Sequence, residues 1–182
     1  AHGGVIVGDV VGLGKTITAT AIASIFEEDY GYETLVLCPV NLVSMWEDYI
    51  AKYRLHGKVL SQSMVTTQLE DMRRYRIVIV DESHNFRNKD GQRYQAIKEY
   101  IEKNESKVIL LTATPYNKGY FDISNQLRLF IDENQELPFS PEKYIASIGG
   151  PVYFSMKHGD IGMHSLAAFE KSNDPDDWRE LM

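Results

Sequence analysis

Cysteine is almost absent from this chain. Cys38 is the only one in 182 residues, so no disulfide can form within it. It closes the apolar run Thr34-Leu35-Val36-Leu37, where a thiol reads as a small buried hydrophobe rather than a nucleophile. Basic charge is also short: 19 Lys and Arg against 26 Asp and Glu leave a formal net charge of -7. That excludes a global positive field for nucleic acid, and any such contact has to use a local patch. No apolar run reaches the length of a membrane-spanning helix, and no leader-like segment opens the sequence. The histidines (His2, His56, His84, His158 and His164) are scattered without metal-ligand spacing, and there is no internal repeat, low-complexity tract or zinc pattern.

What is present is concentrated near the start. The strand-like Val5-Ile6-Val7 leads into a run of small and apolar residues ending in Gly12-Leu13-Gly14-Lys15-Thr16. A glycine-rich turn between a buried strand and a helix carrying Lys then Thr is suited to a nucleoside triphosphate. Backbone N–H groups of the turn and helix start face the phosphates, the Lys ammonium reaches the β/γ oxygens, and the Thr hydroxyl can ligate Mg²⁺. The generic pattern has Gly five residues before Gly14, where this chain has Asp9. Two further segments stand in the same relation to a strand. Arg76-Ile77-Val78-Ile79-Val80 delivers Asp81-Glu82-Ser83-His84, and Lys107-Val108-Ile109-Leu110-Leu111 delivers Thr112-Ala113-Thr114-Pro115. Taken singly, the acidic pair could be a solvated turn and the Thr-rich segment a cap. Ligands of open parallel sheets gather outside the carboxyl ends of strands, and three such segments in order point to a nucleotide hydrolase.

Strand signals recur at 4–7, 34–38, 76–80 and 107–111, with a weaker one at 58–60. Helical patterns fall between them. Residues 15–28 place Ile17, Ala21 and Ile25 on one face, and 41–51 carry Leu42, Met45, Trp46 and Tyr49. Residues 92–103 carry Tyr94, Ile97 and Ile101, and 120–130 carry Phe121, Ile123, Leu127 and Phe130. This alternation predicts right-handed βαβ crossovers and a parallel sheet covered on both faces. After about residue 131 the composition turns acidic and polar, Pro138, Pro141 and Pro151 punctuate it, and short helices are expected near 141–148, 160–171 and 175–182. The expected division is therefore a nucleotide-binding lobe over 1–131 and a mainly helical peripheral extension over 132–182, not an independent domain. The abrupt entry into the nucleotide motif is what a piece of a longer protein would show.

Together the motifs resemble those of the first RecA-like domain of superfamily 2 helicase-like ATPases, most closely the Swi/Snf-related DNA translocases. Gly8-Asp9-Val10-Val11-Gly12-Leu13-Gly14-Lys15-Thr16 looks like motif I, in which Asp commonly replaces the first Gly; Val10 departs from the Glu often found there. Cys38-Pro39-Val40-Asn41-Leu42-Val43-Ser44-Met45-Trp46 is similar to motif Ia, Asp81-Glu82-Ser83-His84 to motif II, and Leu111-Thr112-Ala113-Thr114-Pro115, with Asn117 after it, to motif III. The likeness covers roughly residues 3–130. The tail, from Phe169-Glu170-Lys171 to Asp176-Asp177-Trp178-Arg179, resembles bacterial and archaeal members, which implies a cytoplasmic setting.

The resemblance implies a RecA-like three-layer α/β/α fold of the P-loop NTPase class, with ATP and Mg²⁺ as ligands. Gly12, Leu13, Gly14, Lys15 and Thr16 would bind nucleotide, Thr16 and Asp81 would hold Mg²⁺, and Glu82 would polarise the attacking water. His84, Thr112 and Thr114 would couple nucleotide state to the rest of the motor, or else shape their loops locally. Nucleic-acid contacts would come from Pro39, Asn41 and Ser44, the stretch near Ser63–Thr67, and Pro115, Asn117 and Lys118. The implied partners are DNA, taken as duplex, and a second RecA-like lobe with arginine fingers, which has no counterpart in these 182 residues; the fragment itself would be monomeric, with no membrane partner. A strand-separating DNA or RNA helicase and a catalytically silent nucleotide-gated module are the alternatives. Arg73-Arg74-Tyr75-Arg76 reads as a solvated face at the far end of its strand, and Trp46 as core packing rather than a base-stacking platform.

Overall fold

The computed structural model describes residues 3–8, 14–113 and 121–132, with isolated positions between 146 and 156. The apolar runs form β1 (Gly4–Val7), β2 (Thr34–Cys38), β3 (Gly57–Ser61), β4 (Ile77–Val80) and β5 (Lys107–Leu111). They make one sheet in the order β1-β5-β4-β2-β3, and every pairing is parallel. The weak signal at 58–60 is thus a real edge strand, one residue longer at each end. Helices α1 (Lys15–Tyr30), α2 (Val43–Tyr53), α3 (Val65–Gln68), α4 (Gln92–Asn104) and α5 (Phe121–Leu127) connect the strands or follow the last one.

Strand side chains alternate between two separate cores. Leu35, Leu37, Val78, Val80, Val108 and Leu110 meet Val65 and α4 residues Tyr94, Ile97 and Ile101 on one face. Val36, Cys38, Ile77, Ile79, Ile109 and Leu111 meet Ala19 and Ala23 of α1 and Trp46 of α2 on the other. Burial on both faces is why β2 and β4 read as unbroken Val/Ile/Leu runs rather than as alternating patterns. The result is the expected three-layer α/β/α arrangement. Gly4 permits one close contact in it: a Cβ there would lie 2.7 Å from the Phe130 ring and 2.8 Å from the Val108 carbonyl.

Three helix expectations need correction. In α1 the buried face is Ala19, Thr20 and Ala23, while Ile17 and Ile25 stand 52% and 56% exposed. Small residues let α1 lie close against the sheet, and that proximity outweighs the larger apolar area of the isoleucines. The segment from 41 opens as a 3₁₀ turn, Val40–Leu42, and becomes α-helical only at Val43, after Pro39 has held its backbone extended. The helix expected over 120–130 ends at Leu127, with turns over the next residues leading to buried Leu129 and Ile131. Helix α3 had no counterpart among the expectations. The helices expected at 160–171 and 175–182, and most of the one at 141–148, lie outside the described residues.

The basic run lies at the amino-terminal end of β4, as expected. Arg73 pairs with Glu33 at 2.6 Å and Arg74 with Glu105 at 2.9 Å, while Arg76 stacks over Tyr32 at 4.7 Å. Such exposed pairs are screened by solvent and add little to stability. Their larger effect is to spend the local positive charge on acids of the same surface.

Candidate nucleotide site

A parallel sheet sends all its carboxyl ends to one rim. Because β5 lies between β1 and β4, the segments that follow Val7, Leu111 and Val80 emerge side by side. The Thr112 N–H donates to the Val7 carbonyl at 3.2 Å, closing β1 against β5 at that rim. Helix α1 begins there. Its N-cap, Gly14, is left-handed (φ 82°, ψ 21°), a conformation that favours glycine, and no described atom lies within 4 Å of where a Cβ would stand. Lys15 and Thr16 are the first two residues of the helix, and among the described residues no side chain caps it. A 16-residue helix with an uncapped first turn presents N–H groups and the positive end of its dipole to an anion. Gly12 and Leu13 lie outside the described residues, as do Thr114, Pro115, Asn117 and Lys118.

Asp81 continues the β4 alternation on the side of Ile77 and Ile79, the face that α1 and α2 cover. It is 8% exposed, and its main chain is fixed: the N–H donates to the Leu37 carbonyl at 2.9 Å, and the carbonyl accepts from Gln62 Nε2 at 2.6 Å. The carboxylate is held at both oxygens. Oδ1 accepts the Glu82 N–H and Oδ2 accepts the Trp46 indole N–H, each at 2.9 Å. Trp46 is 1% exposed, so it packs in the core as expected and offers no platform to a base. Asp81 forms no ion pair with a described side chain. A buried carboxylate without a cationic neighbour is costly unless a cation comes to it.

That environment fits Mg²⁺, which takes hard oxygen donors and keeps several waters. Each oxygen of Asp81 has one lone pair beyond those used, and the Thr16 hydroxyl lies on the helix whose start faces the same rim. Among the described residues no group of three His, Cys, Asp or Glu side chains could make an all-protein metal cage.

Glu82 follows with φ 49° and ψ 47°. A non-glycine residue in this left-handed region carries about 1–2 kcal/mol of strain. The twist starts the 3₁₀ turn Ser83–Phe86 and lifts the Glu82 side chain out of the core, to 37% exposure. His84 Nδ1 lies 3.2 Å from Glu82 Oε2 and 3.2 Å from Thr112 Oγ1. Two of the three expected coupling residues therefore meet, and they do so beside the carboxylate expected to polarise water.

Pro39 is half-buried, and Asn41 and Ser44 are exposed just beyond the β2 carboxyl end, on the same rim. Cys38 is buried at that end, and its thiol is pushed up to about 12, first by burial and then by the negative charges of Asp81 and Glu47. It is a packing residue, as expected. Two buried glutamines were missing from the sequence reading. Gln62 donates to the Asp81 carbonyl and accepts from Asn85 Nδ2 at 3.1 Å, and Gln126 Oε1 accepts the Ser83 hydroxyl at 2.7 Å. The one signal for Gln62 is its place directly after β3, where Asp81 stands after β4.

Residues 1–66 match the SNF2-related domain family, and residues 49–117 match the family described as type III restriction enzyme, res subunit. The mouse DNA annealing helicase and endonuclease ZRANB3 is 30% identical in an alignment 137 positions long that covers 60% of this chain and 12% of that protein. An uncharacterized ATP-dependent helicase of Bacillus subtilis, YqhH, is 27% identical in an alignment 148 positions long that covers 70% of this chain and 26% of its own length. The chain thus spans about a quarter or less of these relatives. Among solved structures, the Sulfolobus solfataricus SWI2/SNF2 ATPase core in complex with dsDNA matches 92% of this chain and 37% of that one, with a TM-score of 0.64 at 21% identity. The last likeness establishes the RecA-like fold.

Proposed function

Because the chain is a SWI2/SNF2-related, helicase-like ATPase domain of superfamily 2, we propose that it is the ATP-binding first motor lobe of a DNA-dependent ATPase that translocates on duplex DNA. The observation that carries the reading is Asp81: a buried carboxylate with both oxygens oriented and, among the described residues, no ion-pair partner, at the same sheet rim as the α1 start that bears Lys15 and Thr16. The reaction is ATP and water to ADP and phosphate by in-line attack, in which catalysis is positioning plus neutralisation of charge on the phosphoryl group.

In this reading Gly12 to Thr16 wrap the phosphates, Lys15 neutralises the β/γ oxygens, and Thr16 and Asp81 hold Mg²⁺. When bound there, the ion would supply neutralisation of charge on the phosphates. Glu82 orients the attacking water and accepts toward its proton, a task served by its half-exposed side chain beside His84. Asn41 and Ser44 carry donors suited to phosphates of a nucleic-acid backbone, with Pro39 shaping their turn. Pro115, Asn117 and Lys118 extend that track, and Thr114 joins His84 and Thr112 in coupling. A second RecA-like lobe completes the site. Residues 1–131 form the lobe and 132–182 a peripheral extension of it, in a cytoplasmic protein of a bacterium or archaeon.

The test is steady-state phosphate release by the full-length protein with duplex DNA, single-stranded DNA and RNA, alongside a strand-displacement assay. Stimulation greatest with duplex DNA, without displacement, is expected. Displacement driven by single strands or RNA would make it a helicase. Nucleotide-dependent partner binding without turnover would make it a gated module.

A further inference from the structure

We propose that Trp46 is a positioning residue for the metal-holding carboxylate of Asp81, an inference that rests on the assignment of Asp81 to Mg²⁺ above. The warrant is how that carboxylate is tied. Its one main-chain donor, the Glu82 N–H, is available in any sequence that adopts this fold, and the Leu37 carbonyl holds only the Asp81 backbone N–H. Gln62 grips the Asp81 carbonyl and not the side chain. Among the described residues Trp46 is the one side chain that donates to the carboxylate, through Nε1 to Oδ2 at 2.9 Å.

The choice of residue is informative. Leu, Met or Phe could fill this core position beside Tyr49 and leave no polar group to satisfy. Tryptophan brings a donor that must find an acceptor when buried, and an indole N–H can only donate. Here it spends that donor on a buried anion 35 residues away in sequence. The outer torsion of an Asp side chain is broad and roughly two-fold, so a carboxylate held only by the Glu82 N–H could swing. With Trp46 fixed by burial in α2, the remaining lone pairs of both oxygens keep one direction. The indole therefore acts on the metal through Asp81 and touches neither nucleotide nor metal itself.

Binding of a fluorescent ATP analogue to the full-length protein, titrated with MgCl₂ and repeated in EDTA, tests this without turnover. Trp46→Phe removes the donor and shortens the ring. Trp46→benzothienylalanine, placed by amber suppression, keeps the two-ring shape and replaces the N–H with sulfur. Loss of a hydrogen bond to a charged group should raise the Mg²⁺ midpoint about 10-fold in both variants. Metal-free nucleotide affinity should stay unchanged, while the melting temperature of the benzothienyl protein should fall modestly, because the lost bond is buried in the folded chain. Asp81→Asn should raise the midpoint at least as far, and adding Trp46→Phe to it should change the midpoint less than about twofold, because the two residues act as one unit. If Asp81→Asn raises the midpoint and the benzothienyl protein does not, Trp46 is a packing residue only and the Asp81 assignment stands. If Asp81→Asn leaves the midpoint unchanged, the metal assignment and this inference fall together. Should Trp46→Phe fail to fold, the benzothienyl protein decides.

Discussion

His84 Nδ1 lies 3.2 Å from the Thr112 hydroxyl, joining the turn after β4 to the carboxyl end of β5. The same nitrogen lies 3.2 Å from Glu82 Oε2. One ring atom is therefore shared between the carboxylate proposed to orient water and the threonine of the neighbouring strand. With Nδ1 protonated, the imidazole can donate to one oxygen or the other, so a shift at Thr112 is felt at Glu82 through a single side chain. That geometry suits a motor in which events on the β5 loop set the readiness of the water-orienting residue.

In the full-length protein, Lys15→Ala is expected to abolish nearly all ATP turnover. In the proposed complex the ammonium at the first position of α1 would stand against multiply charged phosphates, and no backbone N–H replaces its charge. Nucleotide titration with steady-state phosphate release measures it. Turnover within about threefold of the unmodified protein would refute the phosphate-binding role.

Glu82→Gln should part binding from chemistry. The amide keeps the shape but cannot act as a carboxylate toward water. We expect ATP·Mg²⁺ affinity to change less than about tenfold while hydrolysis falls about 10²-fold or more. Because Glu82 also sits in a strained left-handed turn, a melting curve belongs beside the kinetics. A collapse of affinity together with turnover would make Glu82 a structural residue.

The 182 residues alone should be a poor enzyme. Arginine supplied from across a cleft contributes about 10³–10⁵ to rate in analogous NTPases, and one lobe provides none. With a net charge of -7 and its Arg73–Arg76 run already engaged with Glu33, Glu105 and Tyr32, the chain has little to hold a polyanion at physiological salt. Weak nucleotide binding and negligible, DNA-insensitive hydrolysis are the expected results. A purified chain turning over ATP at about 1 s⁻¹ with DNA stimulation would contradict the two-lobe argument.

Cys38 should resist thiol reagents in the folded protein. Its pKa is raised from 9.0 to about 12, chiefly by burial, so the thiolate is scarce at pH 8. The sign follows from linkage: the neutral thiol's contribution to stability is intact below the unfolded value and is lost as pH climbs from there through the folded value. Labelling by a chromogenic disulfide at pH 8 should be slow without denaturant and complete with it. Fast labelling of native protein would place the thiol at the surface.

Much of the fold could be read from the chain because the central strands are covered on both faces, which makes 34–38, 77–80 and 107–111 continuous apolar runs. The buried face of α4 was legible for a related reason: Tyr94, Ile97 and Ile101 recur at helical spacing and all three are buried. Helix α1 misled because Ala19, Thr20 and Ala23 carry too little hydrophobicity to outweigh Ile17 and Ile25 in a pattern. The positions of Gly14 at the start of α1 and of Asp81 and Glu82 directly after β4 were legible because the spacing that places them is local. The Trp46–Asp81 bond, the Gln62 grip and the Ser83–Gln126 pair were not, since each joins residues 19 to 43 positions apart that only the sheet order brings together.

The strand order also has a consequence for how the chain is born. Among the described residues β1 pairs with β5 alone, although about 100 residues separate Val7 from Leu111. On a ribosome moving at about 5–20 residues per second, β1 waits roughly 5–20 s for its neighbour to be made. In that interval β2, β3 and β4 can already assemble, leaving a slot beside β4 that β5 fills before β1 can dock. Of the five strands the earliest made is thus the last to be locked, and a nascent chain cannot close β1 against β5 at this rim until Leu111 has cleared the exit tunnel.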